Sequence, residues 1–224
     1  MGLAFLDIIQ GSPGSPMPRD KRNKPQIRAS IAAAAARIIA EDGLDDFALA
    51  KRKAARQLGV QSAQVLPDNA EIEDALRQYL DLYQAEEQPE RVRALREEAL
   101  RAMQMLADFR PYLKGPVLKG TAGRFSAIDL QLFADDSKSV EIFLLNRKLP
   151  FEVMEPRNQG ARERGVPVFR LDWEGIELNV AVHPLNDERV TAHPAGRPLE
   201  RASISHLRHL LDQTDPQQLA GNAE

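Results

Sequence analysis

At Pro111 the hydrophobic period of this 224-residue chain changes from that of helices to one in which strands dominate. Upstream of it, apolar residues recur at spacings of three and four, the signature of helices with one buried face. In IRASIAAAAARIIAEDG the stripe is Ile31, Ala34 or Ala35, Ile38 and Ile39, with Gly43 placed as a stop. A second helix is expected in FALAKRKAARQLGV, ending at Gly59. A third is expected in PDNAEIEDALRQYLDLYQ, with Asp68 or Asn69 as the cap and Ile72, Leu76, Tyr79, Leu80 and Tyr83 as the stripe. Pro89 then opens a long helix carrying Val92, Leu95, Ala99, Met103, Leu106 and Phe109, and Pro111 ends it.

Downstream the period is two. PVLKG, AIDLQLF, PFEVM, VFRLDW and GIELNVAV read as strands, and DDSKSVEIFLLNRK, between the second and third of them, reads as a capped helix. A last helix in LERASISHLRHLLDQ carries Ile204, Leu207, Leu210 and Leu211. Helices followed by a mixed set of strands and helices make an α+β chain, with an N-terminal helical bundle and then a mixed sheet domain. The boundaries follow composition. Residues 1–26 contain GSPGSPMPRDKRNKPQ, too poor in apolar groups to offset the entropy of ordering, and are expected to be a flexible tail. Residues 27–88 form the helical module, 89–214 the sheet domain and 215–224 a frayed end. Residues 1–16 are expected to lie outside the folded protein, with Met17 as an alternative start of translation.

The chain has no cysteine, so disulfides and thiolate metal sites are excluded, and the reducing cytoplasm is the expected home. MGLAFLDIIQ lacks a basic leader, and its apolar run is too short to span a bilayer, so no membrane role is expected. The net charge of −3 divides unevenly: residues 1–60 hold ten Lys or Arg against six Asp or Glu, leaving the rest net acidic. An excess of four cations over sixty residues is a weak electrostatic footprint, which argues against nucleic acid as a partner.

The chemistry concentrates in LKGTAGRFSAIDLQLF, residues 118–133, a Gly-rich turn leading into a strand that carries one carboxylate, Asp129. Its order of turn, acidic strand, helix, strand and a hairpin bearing a second acid resembles the nucleotidyltransferase superfamily of DNA polymerase β. That family's motif is an apolar residue, Gly and Ser, then some ten residues on Asp-apolar-Asp, and later a third acid on a neighbouring strand. Residues i and i+2 of a strand share a face, so two such carboxylates can bridge two magnesium ions that clamp a triphosphate. The resemblance implies that Gly120 and Thr121 stand for the Gly-Ser turn, Ser126 and Asp129 for parts of the acidic strand, and Glu177 for the third acid. It places Ala127 where the first Asp belongs. On this basis Asp129 and Glu177 hold magnesium, Gly120, Thr121, Arg124 and Ser126 meet a nucleoside triphosphate, and transfer activity is weakened or lost. Residues 40–153 are also similar to a group of uncharacterised proteobacterial nucleotidyltransferase-like proteins. The bland alternative is plain turn chemistry, with Gly120 and Gly123 at positive φ and Ser126 and Asp129 bonding nearby amides.

Two other classes compete. AARQLGVQSAQVL has the spacing of a helix-turn-helix, its preceding helix resembles the first helix of TetR-type regulators, and Lys51, Arg52, Lys53 and Arg56 could meet phosphates. Pro67 interrupts the recognition helix, and Gln61, Ser62 and Gln64 are its only base readers. The third reading is a non-catalytic scaffold. GPVLKGTAG is not a phosphate loop, because Lys119 precedes rather than follows Gly120. The four histidines lack acid neighbours at ligand spacing and read as surface groups, and Trp173 reads as a hairpin anchor.

Overall fold

The computed structural model describes residues 24–44, 46–60, 62, 65–154, 165–190 and 199–213. Residues 1–23 of the expected 1–26 tail, the expected frayed end 215–224, His193 and the base readers Gln61 and Gln64 lie outside these residues, whereas Lys24, Pro25 and Gln26, expected in the tail, form the start of the first helix. The chain is α+β, an N-terminal helical region followed by a mixed sheet domain.

The helical region consists of α1 (Lys24–Asp42), α2 (Phe47–Gln57) and α3 (Asn69–Tyr83). Its core is built from small residues: Ala32, Ala35, Ala36, Ala50, Ala54 and Ala55 let the helices approach closely around Ile31, Ile39, Ile72, Leu76 and Leu80. The caps follow from local chemistry. Asp46 accepts hydrogen bonds from the amides of Ala48 and Leu49, and Asp68 forms a reciprocal capping box with Glu71. Past α2, the Gly59 amide donates to Arg56 and the Val60 amide to Ala55, a paired closure that needs the left-handed conformation of Gly59 (φ +68°). Tyr83, expected on the buried stripe, is exposed instead. It lies at the last position of α3, where its ring packs on Tyr79 with centroids 4.7 Å apart.

The long helix α4 (Glu87–Met105) stops before the proline expected to end it. A single 3-10 turn (Ala107–Phe109) and a left-handed Arg110 (φ 49°) follow, and Pro111 disfavours the right-handed helical conformation at the residue before it. The segment expected as the strand PVLKG is also different. The strand is β1 (Tyr112–Lys114), and Gly115–Lys119 form a helical turn, α5. Pro116 at its start and a left-handed Gly120 (φ +78°) at its end are the residues that open and close a helix, and they outweigh the β-branched Val117 between them.

The remaining elements are β2 (Ile128–Ala134), α6 (Ser137–Asn146), β3 (Phe151–Met154), β4 (Val168–Trp173), β5 (Ile176–Pro184), β6 (Ala202–Ser203) and α7 (Ile204–Gln213). The sheet order is β3-β4-β5-β2-β1-β6, with β2 and β5 parallel and every other pair antiparallel. The two-residue β4–β5 hairpin turns on Glu174 and Gly175, both at positive φ, and the Trp173 indole donates to Glu98 of α4, anchoring the hairpin. Leu113, Ile128, Leu130, Leu132, Phe169, Leu171, Leu178, Val180 and Val182 line one face of the sheet. They form the main core with Ala99, Ala102 and Met103 of α4, Val140 and Leu144 of α6, and Leu207 of α7. None of the described helices is long and apolar enough to cross a membrane.

Candidate functional site

Strand alternation puts the polar residues on the opposite face of the sheet from this core. The pairing aligns five of them in one row across five strands: Lys114 of β1, Asp129 of β2, Asn179 of β5, Arg170 of β4 and Glu152 of β3. Glu177 and its register partner Asp172 stand one step along, but the Asp172 carboxylate is engaged in its own hairpin, accepting from the Gly175 amide. Farther along β2 and β5 the same face closes over. Phe133 packs against Tyr112 and His183, and Arg201 lies over the rings of Tyr112 and Phe133. Burial, reinforced by the positive charge of Lys114, pushes the His183 imidazole below its ordinary value.

The open part of the face brings two of the expected residues together. The Asn179 carboxamide nitrogen lies 3.2 Å from Asp129 Oδ1 and 3.3 Å from Glu177 Oε1, so the two oxygens are no more than about 6.5 Å apart. Both partners are acceptors, which fixes the orientation of the amide with its NH2 group toward them. Arg170 Nε lies 3.5 Å from the same Glu177 oxygen. The other side of Asp129 is walled by Gly115. A Cβ built on Gly115 would lie 2.6 Å from Asp129 Oδ2, and Gly115 has φ +74°. Glycine is therefore required there twice, for its backbone angle and for the approach of the carboxylate.

Gly120, Thr121, Arg124 and Ser126 occupy the connector between α5 and β2. The amides of Gly120 and Thr121 both donate to the Pro116 carbonyl, closing α5, and Thr121 is buried. Ser126 is also buried, with its hydroxyl accepting from the Gly123 amide at 2.9 Å. The connector is held from α4. The Gln88 carboxamide donates to the carbonyls of Gly120 and Ala122, and the Arg96 guanidinium donates to those of Val117 and Leu118. Burial lowers the pKa of Arg96. Lys119 reaches Glu73 of α3 at 2.6 Å and Glu200 at 3.2 Å. Burial lowers its pKa, but the two carboxylates more than offset this and hold it above the ordinary value. Arg124 is exposed over the ring of Phe125, which packs on Gly43, the residue after α1.

Two residues of the site were missed in the sequence. Gly115 fits the motif spacing better than Gly120, because eleven residues separate it from position 127 and only six separate Gly120 from it. The turn that faces Asp129 is formed by Gly115 and Pro116. Asn179 carries no motif signal of its own, since its role depends on its register with Asp129.

No family model matches the sequence, and no curated protein is significantly similar to it. Among solved structures, a cytoplasmic RNA terminal U-transferase overlaps with 43% of this chain and 29% of its own, at 17% identity and a TM-score of 0.29. Cid1, which has RNA terminal uridylyl transferase activity, overlaps with 43% of this chain and 31% of its own, at 16% identity and a TM-score of 0.29. The chain thus spans less than a third of the length of either. Overlaps this loose carry no argument about this chain's chemistry, which rests on its own geometry.

Proposed function

We propose that this protein is a nucleotidyltransferase-like nucleotide binder that takes a nucleoside triphosphate with a single divalent cation, with transfer activity reduced or lost. The observation that carries this reading is the approach of Asp129 and Glu177 to within about 6.5 Å on the open face of a parallel strand pair, beside a glycine turn. The donor set fits one hard cation. Two carboxylates and a carboxamide are oxygen ligands of the kind magnesium takes, with water completing the shell. It does not fit two cations. Ala127, just ahead of β2, supplies no oxygen where a bridging carboxylate is needed, and no cluster of three or more acid or histidine side chains suited to a metal occurs among the described residues.

When bound at Asp129 and Glu177, magnesium would screen the phosphate charge from both acids. The rest of the work falls to the chain itself. Lys114 and Arg170 stand on either side of the Asp129–Asn179 pair in the same row and would supply positive charge to phosphate oxygens, Arg170 from beside Glu177. Gly115 keeps the wall beside Asp129 free of a side chain. Gly120, Thr121 and Ser126 shape the connector through their bonds to Pro116, Gln88 and Gly123, and Arg124 is the one cation of the connector exposed for an extended ligand.

Calorimetry of the full chain with each of the four common nucleoside triphosphates, with and without magnesium, tests the reading. Binding that requires magnesium and disappears in Asp129→Asn supports it. Absence of binding by all four, or binding indifferent to Asp129→Asn, overturns it. Ala127→Asp supplies the missing carboxylate opposite Glu177, and a gain of label transfer from a radioactive triphosphate in that variant marks a decayed transferase.

A further inference from the structure

Among the described residues, the three most exposed large apolar side chains are Leu82 (72%), Phe125 (70%) and Tyr83 (67%), and all three line one cleft. The cleft has a volume of about 650 Å3 and lies where the ends of α1 and α3, the start of α4 and the connector meet. It has a cause in the sequence. Pro89 has no amide to offer the Ala85 carbonyl, which keeps α3 and α4 from running on as one helix, and the chain turns at residues 84–86 instead. Both rings are backed by a neighbour. Tyr83 packs on Tyr79, whose hydroxyl donates to Glu41 at 2.7 Å, and Phe125 lies so close to Gly43 that a Cβ there would come within 2.8 Å of its ring. The charges of the lining cancel in pairs, with two left over. Glu87 takes Arg91 at 3.0 Å, and Glu41 takes the Tyr79 hydroxyl and, at 3.9 Å, Arg37. Among the described residues, Glu86 has no hydrogen-bond or ion-pair partner and Arg124 has no carboxylate partner.

We propose that this cleft binds a zwitterionic aromatic amino acid, whose carboxylate pairs with Arg124, whose ammonium pairs with Glu86 and whose ring lies against Tyr83 and Phe125. The charge count selects the class. A ligand with anionic groups alone would meet Glu86 uncompensated, and one with cationic groups alone would meet Arg124. One group of each sign meets neither penalty. Stacking over Phe125, with the guanidinium carbon 5.6 Å from the ring centroid, leaves the edge of Arg124 available for a bidentate carboxylate. The exposed rings supply area for an aromatic body, and the volume falls within the range of about 300–1,000 Å3 usual for small-molecule sites. The site is separate from the nucleotide reading, which draws on Arg124 only as an auxiliary cation.

The test is a saturation-transfer NMR titration of the full chain, without nucleotide or magnesium, using phenylalanine, N-acetylphenylalanine, which lacks the cation, and phenethylamine, which lacks the anion. Phenylalanine is expected to bind about three- to fivefold more tightly than either analogue. Arg124→Gln is expected to abolish its advantage over phenethylamine and keep that over N-acetylphenylalanine. Glu86→Gln is expected to do the reverse. Tyr83→Ala and Phe125→Ala are expected to weaken all three compounds. These four side chains are exposed, so the variants are expected to melt with the wild type. Absence of saturable phenylalanine binding, tighter binding of either analogue, or a selectivity that Arg124→Gln and Glu86→Gln leave unchanged overturns the proposal. Asp129→Asn is expected to leave phenylalanine binding intact, and its loss there would move the ligand to the sheet face and overturn the assignment to the cleft.

Discussion

Replacing Gly115 by alanine isolates the contact on which the shape of the site depends. Two costs add. A left-handed φ of +74° is unfavourable for any residue with a Cβ by about 1–2 kcal/mol. The new methyl would also lie 2.6 Å from Asp129 Oδ2 and 3.5 Å from its Cβ and Cγ, so the carboxylate must turn away. Turning it away loses the bond from Asn179 to Oδ1, worth about 1 kcal/mol. The expected destabilisation is about 2–3 kcal/mol. Gly59 provides the internal control: it has nearly the same backbone angle (φ +68°), and nothing lies within 4 Å of a Cβ built there. Gly59→Ala is therefore expected to cost only the backbone part, about 1–2 kcal/mol. Urea denaturation of the two variants, repeated with Asp129→Ala in each, closes the cycle. The penalty at Gly115 is expected to fall toward that at Gly59 once the carboxylate is gone, a coupling of about 1 kcal/mol, while the penalty at Gly59 stays constant. Equal costs at the two glycines, or a coupling under about 0.3 kcal/mol, would show that Asp129 does not rest on Gly115.

Other substitutions probe the connector and the closed end of the face. Gln88→Leu leaves the carbonyls of Gly120 and Ala122 without their donor in a buried position, and a loss of about 2 kcal/mol is expected in urea denaturation. Lys119→Met removes one of the two cations on the mostly buried Glu73 carboxylate, which keeps Arg77 at 2.8 Å, and an expected loss of about 1 kcal/mol, undiminished in 0.5 M salt, distinguishes it from a surface pair. His183 has a folded pKa below its ordinary value, so the unfolded chain binds the extra proton first. Its contribution to stability is full at neutral pH and is lost as the pH falls through about 6.5 toward the folded value. Thermal denaturation of His183→Gln is expected to be flatter than that of the wild type across this window, and an identical profile contradicts the assignment. Specific DNA binding is expected to be absent at physiological salt, because Lys53 is paired with Asp42 and Lys51 is bonded to Asn69 at the start of an acidic helix. A defined footprint abolished by mutating Lys51, Arg52 and Lys53 contradicts this.

The parts of this protein that were legible in the sequence are those set by local pattern. Alternation in GIELNVAV and AIDLQLF put Asp129 and Glu177 on the outward faces of two strands, and the bounds of β4 coincide with VFRLDW. The pairing of those strands was not local information, since Asp129 and Asn179 are fifty residues apart in the chain. Which of the outward residues stand side by side is decided by the crossover through α6, β3 and β4. That is why Asn179 looked like any polar residue on a solvated face. PVLKG failed for a different reason. Five residues with an apolar centre satisfy a strand and a helical turn equally, and the flanking Pro116 and Gly120 decide the matter. Reading that segment as a strand also put the turn at Gly120, whereas the turn beside Asp129 is at Gly115. The consequence reaches the chemistry. Gly120 and Thr121 have spent their amides on Pro116 and their neighbourhood on Gln88 and Arg96, so the connector transmits the position of α4 to the start of β2 rather than offering a cradle of free amides. Under the proposed nucleotide binding, recognition of phosphate would fall to Lys114 and Arg170, charged side chains in the row of Asp129, and the expected pattern is weakened nucleotide binding in Lys114→Met and Arg170→Met with Gly120→Ala neutral toward binding.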